Sequence, residues 1–356
     1  MVTYITIFVG AFLSSVILTF FVIKFSKKIG LLDLADTERK IHKGSIPLFG
    51  GMAIFLSFFI IAFFWRENLL EGNLEMSHWI GVFLGAIVLM FGGFLDDKYG
   101  LSPQKQIIFP VLAIFLVISG GVGIEKITNP FGGFLYFDIW NISLFNLWGE
   151  NYYFTVLSDI FIFIWLLGMM YTTKLLDGMD GLVTGISSIG ALIIFIFTIT
   201  PKYYQGDIAI ASLILFGATL GFLIFNWHPA KIFLGEGGSL LLGFLLGVLA
   251  IISGGKIAIA LLVMGIPILD VVWTILRRLF LGKNPFRFAD RKHLHFRIYD
   301  LGIGQRKTVL IFYFFSLLFG LSAVFLQSIG KIYALGVLVF LMIMIVLTFR
   351  IIENKK

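Results

Sequence analysis

The chain has no cysteine and little charge: Lys, Arg, Asp and Glu together make up 13% of its 356 residues. The first absence excludes disulfides, thiolate metal sites and a cysteine nucleophile. The second excludes an ordinary soluble domain, which carries about 25% charged residues. No loop of the form G-x-x-x-x-G-K-[ST] occurs, which disfavours a P-loop nucleotide hydrolase, and no His-x-x-x-His pair offers a zinc site. No internal repeat or linker divides the sequence, so it reads as a single domain over residues 1–356.

Apolar residues are abundant, at 59% of the chain with 41 Phe and a mean hydropathy of +1.01. One water-soluble core could not hide that surface, so an integral membrane protein is expected. Apolar runs of about 17–25 residues predict eleven spans, near 2–24, 48–65, 79–95, 106–123, 155–171, 182–200, 207–225, 238–254, 256–276, 308–328 and 331–350. The expected fold class is therefore an all-α polytopic membrane protein with about eleven transmembrane helices. The first run has no positive n-region and no small-residue cleavage site, and it reads as a retained span. The eighth and ninth are parted only by "SGGK", Ser253 to Lys256.

Charge sorts the loops between these spans. All but five of the 27 Lys and Arg fall in loops after odd-numbered spans or in the C-terminal tail; the exceptions are Arg66, Lys126, Lys202, Lys256 and Lys331. The positive-inside rule then places those loops and the C-terminus in the cytoplasm and the N-terminus outside. The net charge of +7 becomes a basic cytoplasmic face, suited to anionic lipid headgroups and phosphorylated substrates; nothing calls for nucleic acid.

The polar chemistry collects on that same face. Asp96 and Asp97 end the third span, in "FGGFLDDKYG". Asp177 and Asp180 stand three apart in "KLLDGMDGLVTG", on one face at helical spacing, with glycines that let backbone approach a ligand. Asn226, Lys231 and Glu236 fill a polar gap in "FNWHPAKIFLGEGGS", and His293 and His295 lie among basic residues in "PFRFADRKHLHFR". Each motif alone has a plain reading: a helix cap for the aspartate pair, a turn for "DGMDG", a partner of Arg277 for Asp270. Gathered on one membrane face they point to phosphoryl transfer. Carboxylates beside a basic rim bind magnesium, and cations stabilise charge on phosphate oxygens. A site at the membrane surface suggests that one substrate is a lipid. A cation-coupled transporter is the rival class, but its ions would sit near the bilayer midplane in repeated halves; an inactive scaffold is the other.

Five motifs in this order resemble the polyprenyl-phosphate N-acetylhexosamine-1-phosphate transferase superfamily (glycosyltransferase family 4), from about residue 30 to about residue 307. They are "GLLDLADTERKIHKGSIPLFGG", "FLDDKYGLSP", "LLDGMDGL", "FNWHPAKIFLGEGGS" and "PILDVVWTILRRLFLGKNPFRFADRKHLHFR". The resemblance implies a plasma-membrane enzyme with a cytoplasmic active site. Such an enzyme moves a sugar-1-phosphate from a UDP-N-acetylhexosamine to undecaprenyl phosphate with release of UMP. Magnesium is the implied cofactor, with manganese as the alternative ion. By the same resemblance Asp96, Asp97, His293 and His295 are catalytic, and Glu236 and Asp180 hold the metal. Arg39, Lys40, His42, Lys98, Asp177, Asp180, Asn226, Phe233 and Arg297 bind substrates, with Phe233 placed to stack on uracil.

Three positions depart from the family pattern. Lys174 stands where Asn is usual, Glu236 where the metal-binding Asp is usual, and Phe296 where a further His is usual. Leu294 between two histidines is similar to the WecA/TagO branch, which implies N-acetylglucosamine-1-phosphate or a related sugar and the start of a cell-envelope polysaccharide. The alternative is the MraY branch, a phospho-N-acetylmuramoyl-pentapeptide transferase of peptidoglycan synthesis.

Overall fold

A computed structural model of the protein describes residues 2–34, 44–72, 74–129, 132–147, 150–254, 257–282 and 292–354. Arg39, Lys40 and His42 lie outside the described residues. The chain is a mostly helical, multi-pass membrane protein, and each of the eleven apolar runs is helical. Apart from the single turns Arg66–Leu69 and Pro103–Gln106, the α-helices in chain order are α1 (Val2–Lys28), α2 (Gly51–Phe64), α3 (Met76–Tyr99), α4 (Ile108–Ser119), α5 (Val156–Leu176), α6 (Leu182–Thr198) and α7 (Gly206–Asn226). They continue with α8 (Glu236–Ile252), α9 (Ile257–Val263), α10 (Gly265–Phe280), the short α11 (Leu294–Ile298), α12 (Gln305–Phe325) and α13 (Ser328–Asn354).

Among the described residues six helices are individually long and apolar enough to cross a bilayer: α1, α3, α5, α7, α12 and α13. The expected ninth span is not one straight helix. It breaks at Met264 into α9 and α10, bent by 79°. Pro267 explains the break, because its ring clashes with the carbonyl four residues back, at Val263, and it has no N–H to donate. Leu338 of α13 packs against Gly265 at this elbow. The segment between α4 and α5 carries structure that the hydropathy pattern did not announce: two antiparallel hairpins, Lys126–Thr128 with Phe134–Tyr136 and Asn141–Leu147 with Glu150–Thr155.

Helix α8 is the axis of the bundle, with every residue from Gly237 to Ile251 buried. Its glycines set how closely the other helices approach. A Cβ on Gly93 of α3 would lie 2.1 Å from the Gly237 nitrogen, and one on Gly51 would lie 2.1 Å from the Gly238 Cα. Gly243 lies against Met169 and Thr173 of α5. Small residues at such crossings let backbones touch, which is how helices associate where no water drives them together. Four helix ends thereby meet at one end of the bundle: the C-termini of α3, α5 and α7 and the N-terminus of α8.

Candidate active site

The aspartate pair splits its work. Asp96 Oδ1 accepts from the Leu101 N–H at 2.7 Å and from Gln106 Nε2 at 3.0 Å, which closes the turn after α3. Asp97 faces the other way, and the Glu236 N–H donates to its two oxygens at 3.1 and 3.3 Å. The first N–H groups of a helix lack intrahelical partners, and the helix dipole favours a carboxylate there. Gly235 makes this approach possible. Its φ of 75° suits glycine, and a Cβ there would stand 2.5 Å from Asp97 Oδ2.

Lys174, near the end of α5, forms an ion pair with Glu236, and both side chains are about four-fifths buried. Its Nζ also donates to Gln106 Oε1 at 2.9 Å, and Gln106 Nε2 binds Asp96. Asp96, Gln106, Lys174 and Glu236 thus form one continuous polar chain. Two of the three departures from the family pattern touch each other.

The second aspartate motif divides likewise. Asp180 is turned toward the α7–α8 loop, where its Oδ2 pairs with His228 Nδ1 at 2.6 Å and accepts from the Ala230 N–H at 3.1 Å. Asp177 has no hydrogen-bond donor on its carboxylate among the described residues. Its side chain reaches solvent. Desolvation by the protein packed around it, with Glu236, Asp97 and Asp180 close by, raises its pKa to about 8.

Asn226 is a clamp between these loops. Its Oδ1 accepts from the Gly181 N–H at 3.2 Å and Thr184 Oγ1 at 2.8 Å, and its Nδ2 donates to the Ile232 carbonyl at 2.9 Å. Phe233 is half-buried, and its backbone straps the first loop to the site: its N–H donates to Pro47 O and its carbonyl accepts from the Gly50 N–H, both at 2.9 Å. Lys98 is exposed over the rings of Phe94 and Tyr99.

The histidine loop docks onto the same end. His295 is fully buried, with its ring 4.2 Å from that of Phe296 and its Nε2 against Gly178 of the "DGMDG" turn. Neither of its ring nitrogens has a hydrogen-bond partner among the described residues. Burial and the neighbouring His293 lower its pKa to about 3, so the ring is neutral. His293 Nδ1 lies 2.9 Å from Asp270 Oδ2, and Asp270 Oδ1 accepts from the Leu294 N–H at 2.9 Å. A carboxylate at Nδ1 fixes the proton there and leaves Nε2 for a ligand. Helical spacing suggests Arg277 as the partner of Asp270; its contact with His293, 23 residues on, leaves no local signature. Arg297 donates to the Lys292 carbonyl at 3.0 Å and lies over the Phe349 ring.

Among the described residues no three His, Asp or Glu side chains converge as a ready metal cage. The donor chemistry nonetheless fits a hard dication: Asp177 lies close enough to Glu236 and Asp97 for their negative charges to act on it, and it has no donor among the described residues. The obstacle is Lys174, which already holds Glu236.

The sequence profile described as "Glycosyl transferase family 4" matches residues 79–254, the stretch that carries the aspartate motifs and Glu236. The chain is 31% identical to the probable undecaprenyl-phosphate N-acetylglucosaminyl 1-phosphate transferase of Bacillus subtilis, over 92% of this chain and 86% of that protein. It is 33% identical to the undecaprenyl-phosphate alpha-N-acetylglucosaminyl 1-phosphate transferase of Thermotoga maritima, over 83% and 82%. The phospho-N-acetylmuramoyl-pentapeptide-transferase of Bacillus subtilis is 29% identical over 90% and 97%.

Proposed function

This chain belongs to glycosyl transferase family 4, and we propose that it transfers N-acetylglucosamine-1-phosphate, or a related N-acetylhexosamine-1-phosphate, from a UDP-sugar to undecaprenyl phosphate. A phosphate oxygen of the acceptor bonds to the phosphorus that bears the sugar, the bond from that phosphorus to UMP breaks, and UMP leaves with the electron pair. The product would initiate a cell-envelope polysaccharide. The observation that carries this reading is the meeting of Asp97, Asp177, Lys174 and Glu236 at one end of the bundle.

In this reading the chain crosses the plasma membrane eleven times, with its N-terminus outside and the site on the cytoplasmic face. Asp97 draws the remaining proton from the acceptor phosphate, while Asp96 holds the turn that carries it. His293, oriented by Asp270, joins Arg297 and Lys98 in binding the donor's phosphate oxygens through charge-assisted hydrogen bonds. Arg39, Lys40 and His42 of the first loop are assigned to substrate binding as further positive charges for phosphate. Asn226 holds the two acidic loops in register, and Phe233 offers its ring to uracil. Magnesium, or manganese, is the proposed cofactor, held by Glu236 with oxygens from Asp177 or Asp180, and when bound it neutralises the donor diphosphate.

The names of the more similar relatives favour the N-acetylglucosamine branch over the muramoyl-pentapeptide branch. Mass spectrometry of the lipid product, from UDP-N-acetylglucosamine and UDP-N-acetylmuramoyl-pentapeptide in parallel, tests the choice. Product from the second donor alone would reverse it.

A further inference from the structure

The two acidic turns of the site meet at a lysine. Lys174 Nζ touches Glu236 and, at 2.9 Å, Gln106 Oε1, and it lies 5.6 Å from the centre of the Tyr171 ring. With 17% and 21% of their side chains exposed, Lys174 and Glu236 are screened by little water. Their attraction is therefore stronger than that of a surface pair. Positions 174 and 236 are also two of the three at which the sequence departs from its family's pattern, and the structure joins them in one contact.

We propose that Lys174 is a tethered counter-cation that holds Glu236 until a divalent cation displaces it, and that it thereby sets the affinity of the acidic centre for that metal. The proposal rests on the reading of this centre as a magnesium site. An ammonium and a dication repel and cannot share one carboxylate in so small a space, so occupation by one excludes the other. The lysine stem is flexible and its head carries three donors, so it can leave Glu236 without losing Gln106. The direction of release is also built in. Gln106 bridges Lys174 to Asp96, and Gln106, Asp96 and Glu236 together line one small cleft. The released ammonium passes from the Glu236 carboxylate toward that of Asp96. Glu236 and Asp177 are then free together, and the charge that Lys174 had cancelled is available to the metal.

The test uses the purified full chain in lipid nanodiscs, without substrates, and manganese as the probe, with free Mn²⁺ read by electron paramagnetic resonance. Lys174→Met removes the charge and keeps the stem, and it should bind Mn²⁺ about tenfold more tightly than wild type. Lys174→Arg keeps the charge and should bind no more tightly than wild type. A second measurement needs no variant: reductive dimethylation of Lys174, followed by mass spectrometry, should run several-fold faster in saturating Mn²⁺ than without it. If the Met variant does not fold, this labelling decides alone. Equal affinities in wild type and Lys174→Met, or labelling that Mn²⁺ leaves unchanged, would overturn the role of Lys174 and leave the metal site standing. No Mn²⁺ binding by any of the three proteins, with transfer undiminished in chelator, would overturn the metal site itself.

Discussion

The backbone N–H of Glu236 donates to both carboxylate oxygens of Asp97, at 3.1 and 3.3 Å, across 139 residues of sequence. This contact ties the end of one membrane helix to the start of the most buried one. It exists because Gly93 and Gly237 let α3 and α8 touch. It also gives the two acids distinct roles. Asp97 reads the helix N-terminus through backbone, while the Glu236 side chain turns to Lys174.

Asp97→Asn keeps an oxygen for the Glu236 N–H, so the bundle should assemble and purify as wild type does. Transfer should fall by about 10²-fold or more, the loss expected when a proton acceptor becomes neutral. Turnover assays on a monodisperse sample check this, and near-normal activity would reduce Asp97 to a helix-end clasp.

Glu236→Gln and Glu236→Asp should separate charge from length. The amide is a poor ligand for a hard dication, so the Gln variant should lose magnesium-dependent transfer. The Asp variant should keep measurable turnover at a higher magnesium requirement, since magnesium tolerates little error around its oxygen distances of about 2.0–2.1 Å. Magnesium titrations of turnover decide. An active Gln variant with an unchanged curve would move the metal to Asp97 and Asp177.

Asp270→Asn should weaken the hold on His293 while leaving an acceptor for the Leu294 N–H. A misdirected imidazole should lower kcat by about 10²-fold. Kinetics with the UDP-sugar donor test it, and an unchanged kcat would confine Asp270 to capping α11.

His295 carries a pH signature for stability. Its pKa is about 3 when folded and 6.5 when free, so the unfolded chain binds the extra proton in the interval between them. Its contribution is fully present above pH 6.5 and is lost as pH falls through that interval toward 3. Thermal melting in detergent should therefore drop more steeply from about pH 7 to about pH 5 in wild type than in His295→Gln. Equal slopes would mean that the buried ring is not held neutral.

Much of this site was legible because burying charge beside hydrocarbon is costly, so carboxylates that end apolar runs stand out. Asp96, Asp97, Asp177 and Glu236 are visible in that way, and the helices through the length of their apolar runs. What escaped was set by packing. The Lys174–Glu236 pair joins residues whose spacing has no periodic meaning, and Asp270 meets His293 through the fold of a loop. Pro267 is in plain view, but the unbroken apolar run from Ile257 to Leu269 outweighs it in a hydropathy reading, which hides the bend at Met264. The division between Asp177, left open, and Asp180, taken up by His228, depends on where a neighbouring loop returns.

The acids gathered around Asp97 and Glu236 are proposed to serve a transfer between a nucleotide sugar and a lipid phosphate. Release of UMP from UDP-N-acetylglucosamine by the purified protein in lipid nanodiscs tests this most directly, measured with and without undecaprenyl phosphate. UMP should form in step with the lipid-linked sugar phosphate, only when the lipid phosphate is present, and its release should be lost in Asp97→Asn. UMP released at the same rate without the lipid phosphate, or no release from any UDP-N-acetylhexosamine, would contradict it.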